Sequence, residues 1–358
     1  MTLDVLIIAE QLRRAAPGGI GTYVRGLVQG LASLDRTGAH VRPTLWSSGG
    51  APLPIGPLPI GDAQSPVARL TAPWPSQLLT RLWDRGLVCF PAQYNVGHAT
   101  SLAIPRARRD GPPVTAFVHD LLWRALPDTY PARGRRWHEA ALGRAVQRAH
   151  AILVPSTDTA DELLATGTPS KRIVVTGEGS DHLALSDRWD GDYILAVSTL
   201  EPRKNLHRLI ESYGLARARL SSPAPLKIVG AFGWGSSIPT PQPGVEFVGS
   251  VTDLELSRLY AGARAFVYIP LREGWGLPPT EAMRAGVPVV ASAMPSRGGA
   301  ALTVDPHNVA AVADALVRVC TDDATRDDLV GRGLAHAASL KWSDVAQMHV
   351  DLWRDLVR

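Results

Sequence analysis

Two cationic residues, Arg203 and Lys204, stand between a predicted strand (193–198) and a helical pattern that begins at Leu206. The amino end of a helix is the positive end of its dipole, so cations are poorly placed there unless an anion accompanies them. Arginine offers a planar pair of donors and lysine a compact charge, and together they can hold a diphosphate and neutralise it as a leaving group. The pair therefore predicts an anion site, against the alternative of a solvated basic turn.

A second candidate loop, 272–281, follows the predicted strand 265–268 and reads REGWGLPPTE. Gly274 and Gly276 allow a ligand to approach the backbone closely. The two prolines after Leu277 preset the start of a helix. This composition predicts a ligand-binding loop that leads directly into a helix.

The same loop carries two carboxylates, Glu273 and Glu281, eight residues apart. Glu281 is expected in the first turn of the helix, where the dipole alone favours a carboxylate. A carboxylate held there can also accept hydrogen bonds from both hydroxyls of a ribose. Glu273 would then project toward a reacting sugar.

Two further candidates lie in the first half of the chain. His119 and Asp120 end the apolar run 114–118, and a histidine there can donate to a sugar hydroxyl, although a satisfied turn is the plainer interpretation. Gly19 and Gly21 belong to the sequence PGGIGT, which follows the first strand and opens a helix whose amides can face a phosphate or sugar. The spacing G-x-G-x-x-G is absent there, which counts against a nicotinamide enzyme.

Apolar runs alternate with amphipathic stretches around these candidates, a pattern typical of parallel strands buried on both faces and covered by helices. The first half contains predicted strands at 5–9, 41–45, 114–119 and 151–155, and helices at 21–33, 135–149 and 157–165. The second half repeats the pattern with strands at 193–198, 226–229, 245–248, 265–268 and 287–291. The Pro- and Gly-rich stretch 47–75 is predicted to be a loop excursion.

The fold class predicted is α/β, with two facing, doubly wound, Rossmann-like domains and a closing helix that crosses back. The predicted domains are 1–178, 179–338 and the helix at 339–358, which packs back toward the first domain. Ligands of doubly wound sheets bind at the carboxyl ends of the strands. Each candidate residue above follows a predicted strand, so we expect the site at those ends.

Composition agrees with a folded two-domain protein: 358 residues, 45% of them hydrophobic and 20% charged. The two cysteines, Cys89 and Cys320, suit a reducing compartment. The N-terminus resembles a buried strand rather than a signal peptide, and no apolar run reaches the roughly 18 residues of a membrane span. We therefore expect a cytoplasmic protein.

Charge is unevenly distributed: residues 1–180 hold 19 Lys and Arg against 13 Asp and Glu, and the remainder holds 18 against 20. A basic first half can meet anionic phospholipid at the inner face of a membrane, or a phosphorylated acceptor. The stretch that would lie on such a membrane contains Arg133, Arg135, Arg136, Trp137, Arg144 and Arg148. An ordinary solvated helix face is the interpretation that the sequence favours.

Taken together and in this order, the motifs resemble those of the retaining glycosyltransferases of family 4, which have the GT-B fold. The resemblance covers nearly the whole chain and is strongest over 193–292. It implies a nucleotide diphosphate sugar as donor substrate, a glycan or lipid-linked acceptor, no cofactor, no nucleic acid and no required metal. It also implies retention of the donor's anomeric configuration, by displacement on the same face.

The resemblance assigns roles to the candidates already named. Arg203 and Lys204 match the family's pair on the donor diphosphate. Glu281 matches the carboxylate on the ribose, and Glu273 the one beside the donor sugar. His119 matches the histidine at the reaction centre. The donor-side backbone then includes Gly19, Gly21, Gly274, Gly276 and Leu277.

The chain departs from the family pattern at two places. Glu178 stands where the family commonly has asparagine, and the stretch 293–300 is several residues shorter than usual and lacks the family's Pro-Glu. One Asp-x-Asp triplet, Asp190-Gly191-Asp192, precedes a strand and is interpreted as a turn rather than a metal motif.

The leading hypothesis is an enzyme that transfers a hexose, with mannose from GDP-mannose as the first choice. A phosphorylase or a nucleotide-sugar epimerase is less consistent with the Arg-Lys pair and the two glutamates. The alternative from another class is a catalytically silent paralogue that binds nucleotide sugars. The shortened stretch supports that alternative, and the presence of Glu273 and His119 opposes it.

Overall fold

The chain forms two compact units in a computed structural model that describes residues 2–35, 40–50, 53, 58–60, 63–65, 67–189, 191–231, 233 and 242–358. The N-terminal unit consists of Met1–Arg124, Ala132–His182 and Lys341–Arg358. The C-terminal unit consists of Ala125–Pro131 and Leu183–Leu340. The sequence places the domain boundary after Glu178, whereas the structure keeps residues 179–182 in the N-terminal unit. The amide of Trp342 donates to Asp181 Oδ1 at 2.8 Å and thereby holds this segment.

The strands of the N-terminal unit are β1 (Leu3–Ile8), β2 (Val41–Ser48), β3 (Leu58–Ile60), β4 (Ala63–Ser65), β5 (Ala68–Ala72), β6 (Val96–Ala99), β7 (Val114–Phe117), β8 (Ala151–Val154) and β9 (Ile173–Val175). Seven of them form a parallel sheet in the order β5-β2-β1-β6-β7-β8-β9. The other two, β3 and β4, form an antiparallel pair. Every residue of β6, β7 and β8 is buried, as expected for central strands of a parallel sheet.

The prediction of a loop over 47–75 is wrong in part. Strand β2 continues to Ser48, and β5 pairs alongside it from Thr44 with Ala68 to Ser48 with Ala72. Strand β5 lies at the edge of the sheet and is largely exposed, so it lacks the apolar run by which a buried strand is recognised. Residues 51–52, 54–57, 61–62 and 66 of the predicted loop lie outside the described residues.

The helices that follow in the N-terminal unit are α1 (Gly18–Asp35), α2 (Ser76–Asp84), α3 (Leu122–Ala125), α4 (Ala132–Arg148) and α5 (Thr157–Leu164). Helix α4 carries the basic and aromatic stretch. Trp137 Nε1 and Arg144 Nη2 both donate to Asp84, at 3.0 and 2.6 Å, and Arg148 donates to backbone carbonyls. Three of the six side chains considered for membrane contact therefore bond within the unit.

The C-terminal unit has strands β10 (Ile194–Val197), β11 (Leu226–Val229), β12 (Val245–Gly249), β13 (Ala265–Tyr268), β14 (Val289–Ala291) and β15 (Leu302–Thr303). They form a parallel sheet in the order β12-β11-β10-β13-β14-β15. The helices are α6 (Leu206–Arg217), α7 (Asp253–Ala261), α8 (Leu277–Arg284), α9 (Val309–Thr321) and α10 (Asp323–Ala338). Apolar clusters cover both faces of this sheet, which explains the continuous apolar runs of its central strands.

The last helix, α11 (Trp342–Val357), packs on α1 and belongs to the core of the N-terminal unit. Two glycines of α1 make room for it. A Cβ at Gly26 would lie 2.0 Å from the ring of Trp342, and one at Gly30 would lie 2.2 Å from the Trp342 carbonyl oxygen. The two helices can approach this closely only because neither position carries a side chain.

Five buried polar side chains join α11 to the sheet beneath it. Trp353 Nε1 donates to Thr115 Oγ1 at 3.0 Å, and Thr115 faces His98 Nδ1 at 2.9 Å. Tyr23 Oη lies 2.9 Å from His98 Nε2 and 2.8 Å from His349 Nε2. His349 Nδ1 faces a backbone carbonyl one turn earlier, so Nδ1 carries the hydrogen and Tyr23 donates to Nε2. Each of these buried groups thus has a partner, as burial requires.

Burial sets the charge of His98 and His349, the two histidines of this hydrogen-bonded series. It lowers the pKa of His349 to about 4, and it lowers the pKa of His98 well below the usual value, with His349 and His119 adding to the effect. Both rings are therefore neutral at pH 7.

Among the described helices, none is both long enough and apolar enough to cross a membrane.

Candidate active site

The Arg-Lys pair and the loop with Glu273 meet at one edge of the C-terminal sheet. Strands β10 and β13 are parallel neighbours, so the segments that follow them leave from the same edge. Arg203 and Lys204 lie in a short 3-10 turn between β10 and α6, and Glu273 lies five residues after β13. The sheet thereby brings together side chains about 70 positions apart in the sequence.

Glu273 is the centre of this cluster. Its Oε1 accepts hydrogen bonds from Arg203 Nη1 at 2.9 Å, Lys204 Nζ at 2.6 Å and Tyr268 Oη at 2.9 Å. Lys204 Nζ also donates to Tyr268 Oη at 2.7 Å. Tyr268 is the last residue of β13 and was not among the predicted site residues, although its position at the carboxyl end of a strand could have indicated it.

A second carboxylate, Glu201, holds Arg203 from the other side. Arg203 Nε donates to Glu201 Oε2 at 3.0 Å, and Thr199 Oγ1 donates to Glu201 Oε1 at 2.8 Å. Both carboxylates and both cations are largely buried, with side-chain exposures between 6% and 14%. The cluster contains two positive and two negative charges, so these four side chains compensate one another.

Burial and the neighbouring charges together set the pKa values in the cluster. Burial raises the pKa of Glu273, but the charges of Lys204 and Arg203 outweigh it and hold that pKa below its usual value. Burial and the neighbouring Arg203 lower the pKa of Lys204, against the opposing effect of Glu273. Burial raises the pKa of Tyr268 well above 10, and Glu273 adds to the rise, so the phenol remains a donor.

Asn205 connects the cationic turn to α6. Its φ of 60° lies in the left-handed region, and its Nδ2 donates to the carbonyls of Ile269 and Pro306 at 3.1 and 2.7 Å. Asparagine tolerates this backbone conformation better than most residues. Asn205 therefore fixes the angle at which the turn with Arg203 and Lys204 enters α6.

The shortened stretch 293–300 packs on the glycine loop. Ser296 Oγ donates to the Gly276 carbonyl at 2.6 Å, and the Ser296 amide donates to the Trp275 carbonyl at 3.3 Å. Gly276 has a φ of 99°, and a Cβ there would lie 2.6 Å from Met294 Sδ. The stretch 293–300 thus holds the glycine loop just before α8 begins at Leu277. Gly274 of the same loop is buried.

Glu281 does not lie in the first turn of its helix, so that part of the prediction is wrong. Helix α8 begins at Leu277, which places Glu281 in the second turn and removes the argument from the helix dipole. Instead, Tyr260 Oη donates to Glu281 Oε2 at 2.7 Å, and the carboxylate is 9% exposed. A tyrosine on α7, missed in the sequence, therefore orients this carboxylate.

His119 lies at the carboxyl end of β7 in the N-terminal unit, where both ring nitrogens face protein groups. Nε2 lies 3.0 Å from the Thr100 carbonyl oxygen, so it carries the hydrogen. Nδ1 lies 3.4 Å from Glu178 Oε1, and Glu178 is 4% exposed. Glu178 is thus the residue that faces this histidine.

Gly19 and Gly21 lie in the first turn of α1, because the helix begins at Gly18 rather than at Gly21 as predicted. Their surroundings differ. Nothing lies within 4 Å of a Cβ built at Gly19, which is exposed, whereas a Cβ at Gly21 would lie 2.3 Å from Pro17 Cβ. Gly19 leaves space for a ligand, and Gly21 is required by packing.

Two buried donors near the cluster have no hydrogen-bond partner within the described part of the chain. They are Ser198 Oγ, directly after β10, and Trp275 Nε1, in the glycine loop. Buried donors are usually satisfied, so these two are exceptions to the rule. Neither was predicted, because serine and tryptophan side chains have many structural uses.

The triplet Asp190-Gly191-Asp192, interpreted from the sequence as a turn, is described only in part. Asp192 pairs with Arg264 at 3.1 Å, and Asp190 lies outside the described residues. Among the described residues, no group of three or more His, Cys, Asp and Glu side chains could hold a metal ion.

Comparison with known proteins gives relatives for both units. Residues 17–182 match the model of Glycosyltransferase Family 4, and residues 191–322 match that of Glycosyl transferases group 1. The chain is 32% identical to O-antigen chain mannosyltransferase B of Escherichia coli over an alignment of 267 positions that covers 67% of this chain and 70% of that protein. It is 27% identical over 292 residues to the serotype-specific mannosyltransferase WbdA of the same species, covering 71% of this chain and 35% of WbdA.

Among solved structures, Anabaena HepE in complex with UDP and glucose aligns with 99% of this chain and 100% of its own, at a TM-score of 0.69 and 15% identity. At that identity the similarity shows the fold alone, which is GT-B with its two Rossmann-like α/β domains. The two family models and the mannosyltransferase B of Escherichia coli show the family as well as the fold. The chain belongs to the group 1, family 4 glycosyltransferases.

Proposed function

We propose that the protein transfers a hexose, with mannose as the first choice, from a nucleotide diphosphate sugar to a glycan or lipid-linked acceptor, with retention of configuration. The observation that carries the proposal is the buried cluster of Arg203 and Lys204 at the edge where β10 and β13 end. Two cations held by hydrogen bonds in a buried setting are suited to a diphosphate that gains charge as the sugar leaves.

Mannose is the favoured sugar because the relatives named above are mannosyltransferases. GDP-mannose is accordingly the donor to test first. HepE was solved with UDP and glucose, so UDP-glucose belongs in the same test. A glycan acceptor is favoured by the O-antigen relative.

In the proposed reaction, the bond between the anomeric carbon and the diphosphate oxygen breaks while an acceptor oxygen bonds to the same face of that carbon. The acceptor proton passes to an oxygen of the leaving diphosphate. Arg203 and Lys204 neutralise the diphosphate, Glu281 accepts from the ribose, and Glu273 contacts the donor sugar. The role proposed for His119 is that of the family's histidine at the reaction centre. These roles require no metal ion bound by the protein.

A thermal-shift panel tests donor binding first, with GDP, UDP, dTDP and ADP and with their common sugar derivatives. A ligand that binds only the folded protein raises the midpoint of unfolding. We expect one nucleotide to raise it clearly and Lys204→Ala to abolish the shift. No shift with any nucleotide would favour the silent paralogue.

Turnover and stereochemistry need a second experiment. Donor hydrolysis or transfer to a short mannoside, followed by proton NMR, reports the anomeric configuration of the first product. We expect retention, undiminished by EDTA. An inverted product would contradict the same-face displacement, and loss of activity with EDTA would contradict metal independence.

Peripheral contact with an anionic membrane is a separate proposal, and the bonds of Trp137, Arg144 and Arg148 within the N-terminal unit weaken it. It rests on the exposed Arg133 and Arg136 of α4. Sedimentation with phosphatidylglycerol vesicles at low salt tests it. Absence of co-sedimentation would exclude it.

A further inference from the structure

The cluster around Glu273 already contains an anion. Glu273 Oε1 accepts from both cations that are proposed to hold the donor diphosphate, at 2.9 Å from Arg203 and 2.6 Å from Lys204. Glu201 pairs with the remaining face of Arg203 at 3.0 Å. The two positive charges are thus balanced by two negative ones before any ligand arrives.

A diphosphate that enters this cluster meets a like charge at hydrogen-bond distance from its own partners. Like charges this close in a buried site repel strongly, and Coulomb interactions are weakly screened there. The cations cannot direct the same N–H groups at Glu273 and at a phosphate oxygen. A phosphate oxygen that takes the N–H groups now directed at Glu273 displaces this carboxylate from at least one cation.

Tyr268 is placed to keep Glu273 in position during such an exchange. Its Oη donates to Glu273 Oε1 at 2.9 Å and accepts from Lys204 Nζ at 2.7 Å, so it touches both members of the pair. The phenol stands at the end of β13, a fully buried strand. When Lys204 turns to a phosphate, the hydrogen bond from Tyr268 to Glu273 remains.

We propose that Glu273 and the donor diphosphate compete for Arg203 and Lys204, and that Tyr268 is the positioning residue that retains Glu273 when the diphosphate takes the cations. This inference rests on the proposed function, since it assigns the diphosphate to the same cations. The unliganded cluster is thus a closed form of the site, in which a protein carboxylate occupies the place of the ligand's charge.

The first test is Glu273→Gln, which keeps the shape of the side chain and removes its charge. Isothermal titration calorimetry with GDP, UDP and inorganic pyrophosphate should show binding about tenfold tighter than in the wild type, the equivalent of one charge-assisted hydrogen bond. Turnover should fall at the same time. Unchanged or weaker binding in this variant would overturn the competition.

Two further glutamates serve as controls. Glu211→Gln removes an exposed charge of α6 and should leave all three dissociation constants unchanged. Glu201→Gln removes a charge from the same cluster but also loosens Arg203, so it should not tighten binding. If Glu201→Gln and Glu273→Gln lowered the dissociation constants equally, only the net charge of the cluster would matter. The proposed competition between Glu273 and the diphosphate would then be wrong.

Tyr268→Phe tests the positioning role. We expect kcat to fall at least about tenfold with little change in the donor KM, because in the proposed donor complex Lys204 has turned to the diphosphate and Tyr268 contacts Glu273 alone. Tyr213→Phe removes the hydroxyl of another buried tyrosine of the same unit, one that donates to the Ala224 carbonyl, and should leave kcat unchanged. A raised KM with unchanged kcat in Tyr268→Phe would contradict the assignment.

Pyrophosphate separates this inference from the proposed function. If the wild type binds pyrophosphate but no nucleotide, the proposed donor is wrong, while the comparison of Glu273→Gln with the wild type still tests the exchange. If nucleotides bind the wild type and Glu273→Gln binds them no more tightly, the proposed donor site is supported and the proposed competition is wrong.

Discussion

Trp353 donates a hydrogen bond to Thr115 across 238 positions of the sequence, from the last helix to a central strand of the N-terminal sheet. The bond begins the buried series that continues through His98, Tyr23 and His349. Every member is buried, so a break anywhere leaves an unpaired polar group in the core. The series therefore specifies one register of α11 on the sheet.

Acid should loosen this contact. Because the pKa of His349 in the folded chain is about 4, below the ordinary value of 6.5, the unfolded chain takes up the proton first as pH falls. His349 thus contributes stability that is complete above pH 6.5 and declines between about 6.5 and about 4, by about 1.4 kcal/mol for each pH unit. His98, whose pKa is also lowered by burial, adds a decline of the same sign. Urea unfolding at pH 7 and pH 5, followed by tryptophan fluorescence, measures the decline.

Two variants identify the titrating group. His349→Gln should be less stable than the wild type at pH 7, and its stability should fall less between pH 7 and 5. His207→Gln changes an exposed histidine and should keep the wild-type slope. Identical slopes in all three proteins would remove His349 as the source.

Replacing glycine by alanine should change the free energy of unfolding in opposite directions at Gly26 of α1 and at Gly143 of α4. Gly26→Ala places a Cβ 2.0 Å from Trp342 and should destabilise the N-terminal unit by about 1–3 kcal/mol. Gly143→Ala lies in α4 with nothing within 4 Å of the added Cβ and should stabilise by about 0.4–1 kcal/mol. Chemical denaturation of both variants measures the difference. Equal effects would show that α11 does not depend on this close approach.

Tyr260 should matter for the nucleoside and not for the phosphates. Tyr260→Phe removes the donor that orients Glu281, so we expect GDP or UDP, whichever the wild type binds, to bind roughly tenfold more weakly. Inorganic pyrophosphate, which has no ribose, should bind as in the wild type. Calorimetry with both ligands decides, and equal weakening of both would contradict the ribose role of Glu281.

Asn205 combines a strained backbone with two buried hydrogen bonds, and two substitutions separate these contributions. Asn205→Ala loses both bonds and keeps the unfavourable φ, at a cost of roughly 2–4 kcal/mol. Asn205→Gly also loses the bonds but adopts the left-handed conformation freely, so it should be about 1 kcal/mol more stable than the alanine variant. An alanine variant at least as stable as the glycine variant would exclude backbone strain as a factor.

The sequence predicted β11 and β13 with their bounds as observed. Strand β11 lies between Pro225 and Gly230, and β13 is an apolar run that follows Arg264, so each has a clear local boundary. Strand β6 was missed, since its glycine and its buried histidine interrupt the apolar pattern. The position of Glu281 was wrong by one helical turn, because the prolines after Leu277 do not by themselves mark the first helical residue.

The candidate site was predictable as a set of loops and not as a network. Position at the carboxyl ends of strands indicated Arg203, Lys204 and Glu273. Their mutual hydrogen bonds depend on which strands are neighbours, and sequence spacing does not contain that information. Tyr268 and Tyr260 act through contacts with the glutamates, so no motif marks them.

The place of α11 also bears on how the protein is made. Trp342 and Trp353 complete a core whose other residues come mostly from the first 153 positions. A ribosome must synthesise the whole C-terminal unit before it reaches them. Until then, the apolar face of α1 that contacts α11 remains exposed in the nascent chain. A nascent chain stalled before residue 341 should therefore be a substrate for chaperones that bind exposed apolar surface.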